Sequence, residues 1–349
     1  GPTVAATKLI ARARAEAPVQ AFRRRLLAEG LASEPELAAI DNAARAEVLE
    51  AMDFARQSPL PDADDLHADV FASLEDLPGA ARSARAKQPE LQASQSAPRR
   101  ITFSAAVAEA LDVALARDER VVLFGEDVAD PAGGVVKVTM GLSTKYGSER
   151  VRSTPIAESA IVGAGIGAAL AGLRPVAEIM INDFLEVCMD QVANHAAKLR
   201  YMSGGRTKVP LTIRTLNAGF VGSFGAQHSQ SLEAWLAHTP GLKIACPSTP
   251  RDAKGLLLAC IEDDDPCVFF EPMRSYFSPG EVPEGYYKIP LGEADIKRPG
   301  SDLTIVTYGW TVAESLVAAS NLAREGIEAE VLDLRTIVPL DVPALLESV

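Results

Sequence analysis

Glu158 ends the run Arg152-Ser153-Thr154-Pro155-Ile156-Ala157-Glu158 and opens residues 159–172, which are almost entirely Ala, Gly, Ile and Val. That pattern puts one carboxylate at the mouth of an apolar helix. Two readings stand from position alone: a helix-terminal charge interacting with the dipole, or an acid/base whose pKa is raised by its apolar wall so that it shares a proton. His228 is the second candidate, in the turn Gly225-Ala226-Gln227-His228-Ser229-Gln230. This turn follows an apolar strand pattern, at the loop end where α/β proteins place their sites. A lone loop histidine is equally a structural or solvent-facing residue. No Ser–His–Asp set assembles around it and no G-x-S-x-G occurs, which argues against a hydrolase. Gly163, Gly165 and Gly167 lie inside a helix pattern rather than between strand and helix, so they read as close packing and not as a phosphate loop. Phe184 alone reads as a core aromatic.

The elements that must position these residues begin near residue 100. Apolar strand patterns at 121–125, 151–155, 175–181, 211–214, 242–246 and 266–271 alternate with helix patterns at 102–116, 159–171, 184–198 and 250–260. This predicts an α/β fold with a parallel sheet covered on both faces. A Pro/Gly-rich crossover at 275–300 leads to a strand at 303–308, a helix at 311–325 and a strand at 329–333. Two strands are thin for an α/β domain, so this unit is expected to be cut or completed by another chain. Residues 3–57 read as helices. Ser33-Glu34-Pro35-Glu36 is a capped start, and Leu37, Ile40, Ala44, Val48, Met52 and Ala55 follow at helical spacing. Residues 78–99 show no apolar period and read as a flexible linker. The expected division is therefore 1–77, 78–99, 100–274 and 275–349.

Composition narrows the function classes. The net charge is −13, and the densest basic run, Arg23-Arg24-Arg25, reads as a solvated helix face, so no nucleic-acid partner is expected. No apolar run reaches the roughly 18 residues of a membrane span, and no signal-peptide pattern opens the chain. Gly1-Pro2 resembles a protease-cleavage scar. Cys188, Cys246, Cys260 and Cys267 form no CxxC pair and lie in apolar contexts, as free thiols of a reducing, cytoplasmic compartment do.

A set of segments then points to a family. In order they are Gly125-Glu126-Asp127, Thr154-Pro155-Ile156-x-Glu158, Phe184 with Asp190-Gln191, Ala196-Ala197-Lys198, Tyr201-Met202-Ser203-Gly204-Gly205, Gln227-His228-Ser229-Gln230, Pro247-Ser248-Thr249-Pro250, Asp252-Ala253-Lys254-Gly255-Leu256 and Asp333-Leu334-Arg335. Together they closely resemble the β subunit of the decarboxylating first component of 2-oxo acid dehydrogenase complexes, over about residues 100–349. Phe22-Arg23-x-x-Leu26, Glu47-Val48, Phe54-Ala55-x-x-Ser58-Pro59 and Asp69-Val70-Phe71 resemble the C-terminal tail of the α subunit, as in a fused α–β chain.

The resemblance implies a transketolase-like pyrimidine-binding domain, followed by part of a transketolase-type C-terminal domain. It implies that Glu158 hydrogen-bonds the pyrimidine ring nitrogen of thiamine diphosphate and activates it for attack on a 2-oxo acid. Phe184 would stack on the pyrimidine beside Ile156, and His228 would serve proton transfer or lipoyl docking. Mg²⁺ and the diphosphate would belong to an α-type body carrying Gly-Asp-Gly, which this chain lacks. Carbonyls of Leu211, Cys260, Ile261, Asp263 and Asp265 would hold K⁺, unless that stretch is simply an acidic turn. Implied partners are an α-type subunit, a homodimer or α2β2-like assembly, and the lipoyl domain of the acyltransferase. The segments match pyruvate, acetoin and branched-chain relatives alike. An inert assembly module, or a transferase without lipoyl transfer, stands as the alternative. The turn between Arg214 and His228 is one residue longer than usual.

Overall fold

The structure is a computed structural model that describes residues 17–60, 71, 99–219 and 224–348. The linker expected at 78–99 therefore lies outside the described residues except for Arg99, as do residues 3–16 of the expected helical tail and 220–223 of the histidine loop. The chain divides into two compact units, Gly1–Leu66 and His67–Val349.

The first unit contains α1 (Pro18–Ala28) and α2 (Glu34–Gln57). The anticipated start of α2 is a reciprocal capping box between Ser33 and Glu36, with Ser33 Oγ donating to the Glu36 carboxylate at 2.7 Å, which supplies partners for helix-start groups that have none within the helix.

The second unit is built on a seven-stranded sheet in the order β12-β6-β7-β5-β4-β2-β3. Its strands are β2 (Val121–Glu126), β3 (Val151–Thr154), β4 (Arg174–Ile181), β5 (Thr212–Asn217), β6 (Lys243–Ala245), β7 (Cys267–Pro272) and β12 (Thr336–Val338); β1 (Arg99–Thr102) pairs antiparallel with β8 (Pro279–Val282) in a separate ribbon, and the short helix α4 (Leu142–Tyr146) connects β2 to β3. All pairs of the seven-stranded sheet are parallel except β12 with β6. Alternate residues feed opposite faces, as a strand must. Cys267 and Phe269 join one core with α3 (Phe103–Arg117) and α8 (Pro250–Glu262), while Val268 and Phe270 join another with α5 (Glu158–Leu170). Both faces are thus buried, as the near-continuous apolar strand patterns require.

Three elements depart from the sequence expectation. The helix expected at 184–198 is a 3₁₀ helix over Asn182–Cys188 and a π-helical turn over Gln191–Ala196, followed by α6 (Leu199–Met202). Leu185, Cys188, Val192, Ala196 and Ala197 all reach the core, at spacings of three, four and five that no single helix type repeats. Second, β9 (Asp295–Arg298) adds an antiparallel strand to β10 (Leu303–Thr307) and β11 (Ala329–Asp333), so the last unit is three strands deep. Third, β12 leaves that unit for the edge of the large sheet. Arg335, beside it, donates to Asp252 at 2.9 Å and to Asp295 at 2.9 Å, which ties the two sheets together.

Candidate active site

The chain passes from β2 outward to β3, then back across β2 to β4 and on to β5. Connections from the neighbours β2 and β4 thus leave in opposite directions, which makes their carboxyl ends the place where such a sheet forms a crevice. Open α/β sheets bind ligands at this kind of switch point. Glu126 closes β2, Thr154 closes β3, and Asn182–Cys188 follows β4.

Glu158 is the first residue of α5, the helix that follows β3, and is 8% exposed. Among the described residues its carboxylate makes no hydrogen bond or ion pair. Its oxygens are not among the fully buried atoms without a partner, so they remain open to a ligand that brings its own donor. The helix packs tightly enough to fix this position: a Cβ on Gly165 would lie 2.8 Å from Leu211 Cδ1. Gly165 therefore fulfils the close-packing reading, whereas a Cβ on Gly167 would meet open space. Ser159 Oγ donates to the Val187 carbonyl at 2.8 Å and ties the helix start to the segment after β4.

A second acid stands beside the first. Glu126 is 7% exposed, and burial, then the charges of Glu158, Asp127 and Glu178, push its pKa up. Sequence reasoning placed Glu126 in a recognisable segment but assigned it no role. Nothing local could have done so, because its neighbour is 32 positions away across the sheet order. Cys188 also lies near; burial, then the Glu158 charge, pushes its thiol up to about 12. Buried hydroxyls of Thr154 and Ser229 and the amide oxygen of Gln191 have no hydrogen-bond partner among the described residues.

Phe184 and His228 meet. Their rings lie edge to face with centroids 5.3 Å apart, and both are half-buried. His228 sits at the end of a 3₁₀ turn over Ala226–His228. Ile156, by contrast, is 83% exposed and closes nothing within this chain.

Beneath the crevice runs a buried ion network. Arg214 on β5 donates to Glu271 on β7 at 2.6 and 2.8 Å and to Glu178 on β4, and Tyr276 donates to Glu271. Burial opposes the Arg214 charge, but Glu271 and Glu178 hold its pKa above the usual guanidinium range. A Cβ on Gly125 would press 2.8 Å against Glu178 Cβ, so only glycine lets β2 approach β4 here.

The cation loop is arranged otherwise than the resemblance implies. Arg174 donates to the carbonyls of Ile261 (3.2 Å) and Asp263 (2.9 Å). The Cys260 carbonyl accepts from Asp263 N, Leu211 from Cys267 N and Asp265 from Cys267 Sγ. Lys243 holds Asp263 at 2.8 Å, Arg200 holds Asp265 at 2.5 Å, and Arg174 with Lys208 holds Asp264. Each of the five carbonyls thus already accepts a protein donor, and Arg174 brings a positive charge to two of them, which disfavours a K⁺ ion at this set. Among the described residues no cluster of three or more His, Cys, Asp or Glu is arranged to hold a metal ion, and no helix is long and apolar enough to cross a membrane.

Comparison with known proteins agrees with this geometry. The transketolase pyrimidine-binding domain matches residues 99–278, the transketolase C-terminal domain 292–349, and the dehydrogenase E1 component 2–64. The acetoin:2,6-dichlorophenolindophenol oxidoreductase β subunit of Cupriavidus necator is 51% identical over 261 residues, covering 72% of this chain and 76% of that protein. From Bacillus subtilis, the 2-oxoisovalerate dehydrogenase β subunit is 48% identical and the pyruvate dehydrogenase E1 component β subunit 49%, each covering 71% of this chain and 76% of its own length. Among solved structures, a split-gene transketolase in an inactive β4 tetramer shares the fold at TM-score 0.56, 23% identity, and 71% and 75% coverage of the two chains. A transketolase of Pichia stipitis does so at TM-score 0.55 and 15% identity, over 94% of this chain and 45% of that one.

Proposed function

The chain belongs to the family of E1 β subunits of 2-oxo acid dehydrogenases, and from that premise we propose that the crevice between β2 and β4 holds the aminopyrimidine of thiamine diphosphate against Glu158. The chain is thus a component of an enzyme for thiamine-diphosphate-dependent oxidative decarboxylation of a 2-oxo acid. The observation that carries this reading is the Glu158 carboxylate, buried at a helix start with no partner among the described residues. A protonatable ring nitrogen is the partner such a group lacks. When bound, the cofactor supplies the carbon nucleophile and the electron sink for loss of CO₂.

The chain's own residues then have distinct tasks. Glu158 shares a proton with the ring nitrogen. Glu126, its pKa raised by burial and by the Glu158 charge, leans toward its neutral form. Phe184 supports the flat face of the ring. His228, against the Phe184 edge, moves a proton as the acyl group passes to a lipoyl domain. The apolar wall of α5 keeps water from the acid pair. We assign the diphosphate and Mg²⁺ to an α-type body, which Ile156 meets through its exposed side chain, in an α2β2-like assembly. Potassium takes no part in this reading. Free buried thiols suit the cytoplasm. The acetoin, 2-oxoisovalerate and pyruvate relatives stand within three points of identity, at 51%, 48% and 49%, so similarity alone selects no substrate.

The test is calorimetric titration of thiamine diphosphate with Mg²⁺ into the chain, alone and mixed with an α-type body, for wild type and Glu158→Gln. Tight binding is expected only in the mixture. Glu158→Gln is expected to keep its circular dichroism and to lose turnover by on the order of 10²–10⁴-fold, the span of a general acid–base group. Unchanged decarboxylation by Glu158→Gln would remove it from the mechanism. Binding to a carrier core without turnover in any mixture would favour an assembly module.

A further inference from the structure

We infer that Asp183 and Gln230 are positioning residues that set His228 against Phe184, an inference that rests on the role given above to His228. The histidine lies on a long loop between β5 and α7 (Glu233–Ala237), and no hydrogen bond of its own ring fixes it among the described residues. Its place is set by its neighbours. Asn182 Nδ2 donates to the Gln230 carbonyl at 3.0 Å, and Leu232 N donates to Asn182 Oδ1 at 3.1 Å. Asp183 Oδ1 accepts from both Gln230 N at 3.2 Å and Gln230 Nε2 at 2.9 Å. These contacts run antiparallel: as one segment steps from 182 to 184, the other steps back from 232 to 228. The next step in that series is the ring pair Phe184–His228 itself, at 5.3 Å.

The chemistry of the clamp supports a positioning role. Asn182 is fully buried and Asp183 is 4% exposed. Asp183 accepts only amide donors, from Gln230 and from Asn182 Nδ2 at 2.9 Å, and has no cation beside it among the described residues. A buried carboxylate with amide partners alone is a poor source of stability. It is, however, an acceptor strong enough to hold one residue by both its backbone and its side chain. The base of the loop is pinned separately, with Asn217 Oδ1 accepting from Gly219 N at 2.9 Å and Ser231 Oγ at 3.2 Å. The Asp183–Gln230 bonds are thus free to act on the tip without holding the loop closed.

The experiment uses the full chain with isotope-labelled histidine. It has four histidines, so His228→Gln assigns the His228 line. In wild type without cofactor, the ring current of Phe184 is expected to displace the His228 proton resonances. Gln230→Met, which removes the side-chain donor at similar volume, and Asp183→Asn are expected to return them toward those of a mobile histidine, with circular dichroism unchanged. In the mixture with an α-type body, transfer to free lipoamide should fall by roughly 10- to 100-fold, as for a reacting group displaced by about 1 Å. Decarboxylation read with ferricyanide should be nearly unchanged. An unmoved His228 line in both variants overturns the inference. So does a moved line with intact lipoamide transfer while His228→Gln is impaired. If His228→Gln itself transfers normally, the role given to His228 falls, and the inference falls with it.

Discussion

Replacing Arg214 by Met should remove the centre of the charge network beneath the site. Arg214 has 3% side-chain exposure, Glu271 none and Glu178 11%. The substitution keeps most of the side-chain volume but leaves two buried carboxylates facing each other without a cation. Stranding one partner of a buried pair costs about 3–5 kcal/mol. Two acids are stranded here, so the loss should sit at the upper end of that span. Against a whole-domain stability of about 5–15 kcal/mol, that is a large share. At about 2–4 °C per kcal/mol for a domain of this size, a loss near 5 kcal/mol should lower the thermal midpoint by roughly 10–20 °C.

The pH dependence gives a sharper check. Burial already raises the Glu178 pKa, against the pull of Arg214. Without Arg214 it can only rise further. A carboxyl whose folded pKa exceeds its unfolded value favours the fold below the unfolded value and loses that advantage as pH rises through the folded one. The deficit of Arg214→Met should therefore be small near pH 4.5 and full at pH 8. Urea melts at the two pH values measure it, and Glu271→Gln in the same background should recover part of the loss at pH 8. A deficit below about 1 kcal/mol at pH 8, within the range of an exposed pair, would refute the reasoning. So would a large deficit that ignores pH.

Glu126→Gln removes a buried charge whose pKa is raised by burial and by Glu158; it should stabilise the fold by on the order of 1 kcal/mol at pH 8 and not at pH 4, and equal effects at both would mean that the acid is not strained. Cys188, Cys246, Cys260 and Cys267 are buried and free, so iodoacetamide at pH 8 should label none of them in the native protein and all of them in urea; rapid native labelling of Cys188 would contradict its place under Glu158. Because Arg174, Lys243, Arg200 and Lys208 already serve the Asp263–Asp265 loop, exchanging potassium for choline should leave the melting temperature in place, whereas Lys243→Met should lower it. An ion bound at 100 times its Kd would add about 2.7 kcal/mol, so a potassium-dependent rise of several degrees would restore the cation site.

Much of this was legible in the chain itself. The capped start of α2, the apolar run of α5 with Glu158 at its first position, and the alternation of short strands with helices all depend on residues within about four positions of one another along the chain. Such spacings are set by backbone geometry and need no partner. The resemblance of ordered segments added the cofactor and gave Phe184 and His228 separate roles, while their ring contact came from the structure. Other features depended on the order of strands in the sheet. The neighbourhood of Glu126 and Glu158 exists because β2 lies between β3 and β4. The Asp183–Gln230 clamp exists because 3₁₀ winding after β4 brings two polar side chains to the returning loop. The filling of the supposed potassium loop by Arg174, from 87 positions away in sequence, follows from the position of β4 beside the end of α8. Local pattern decides which elements form and which residues open them. Only the tertiary arrangement decides which charges face each other, because a charge acts through distance in space and the chain records only distance in sequence.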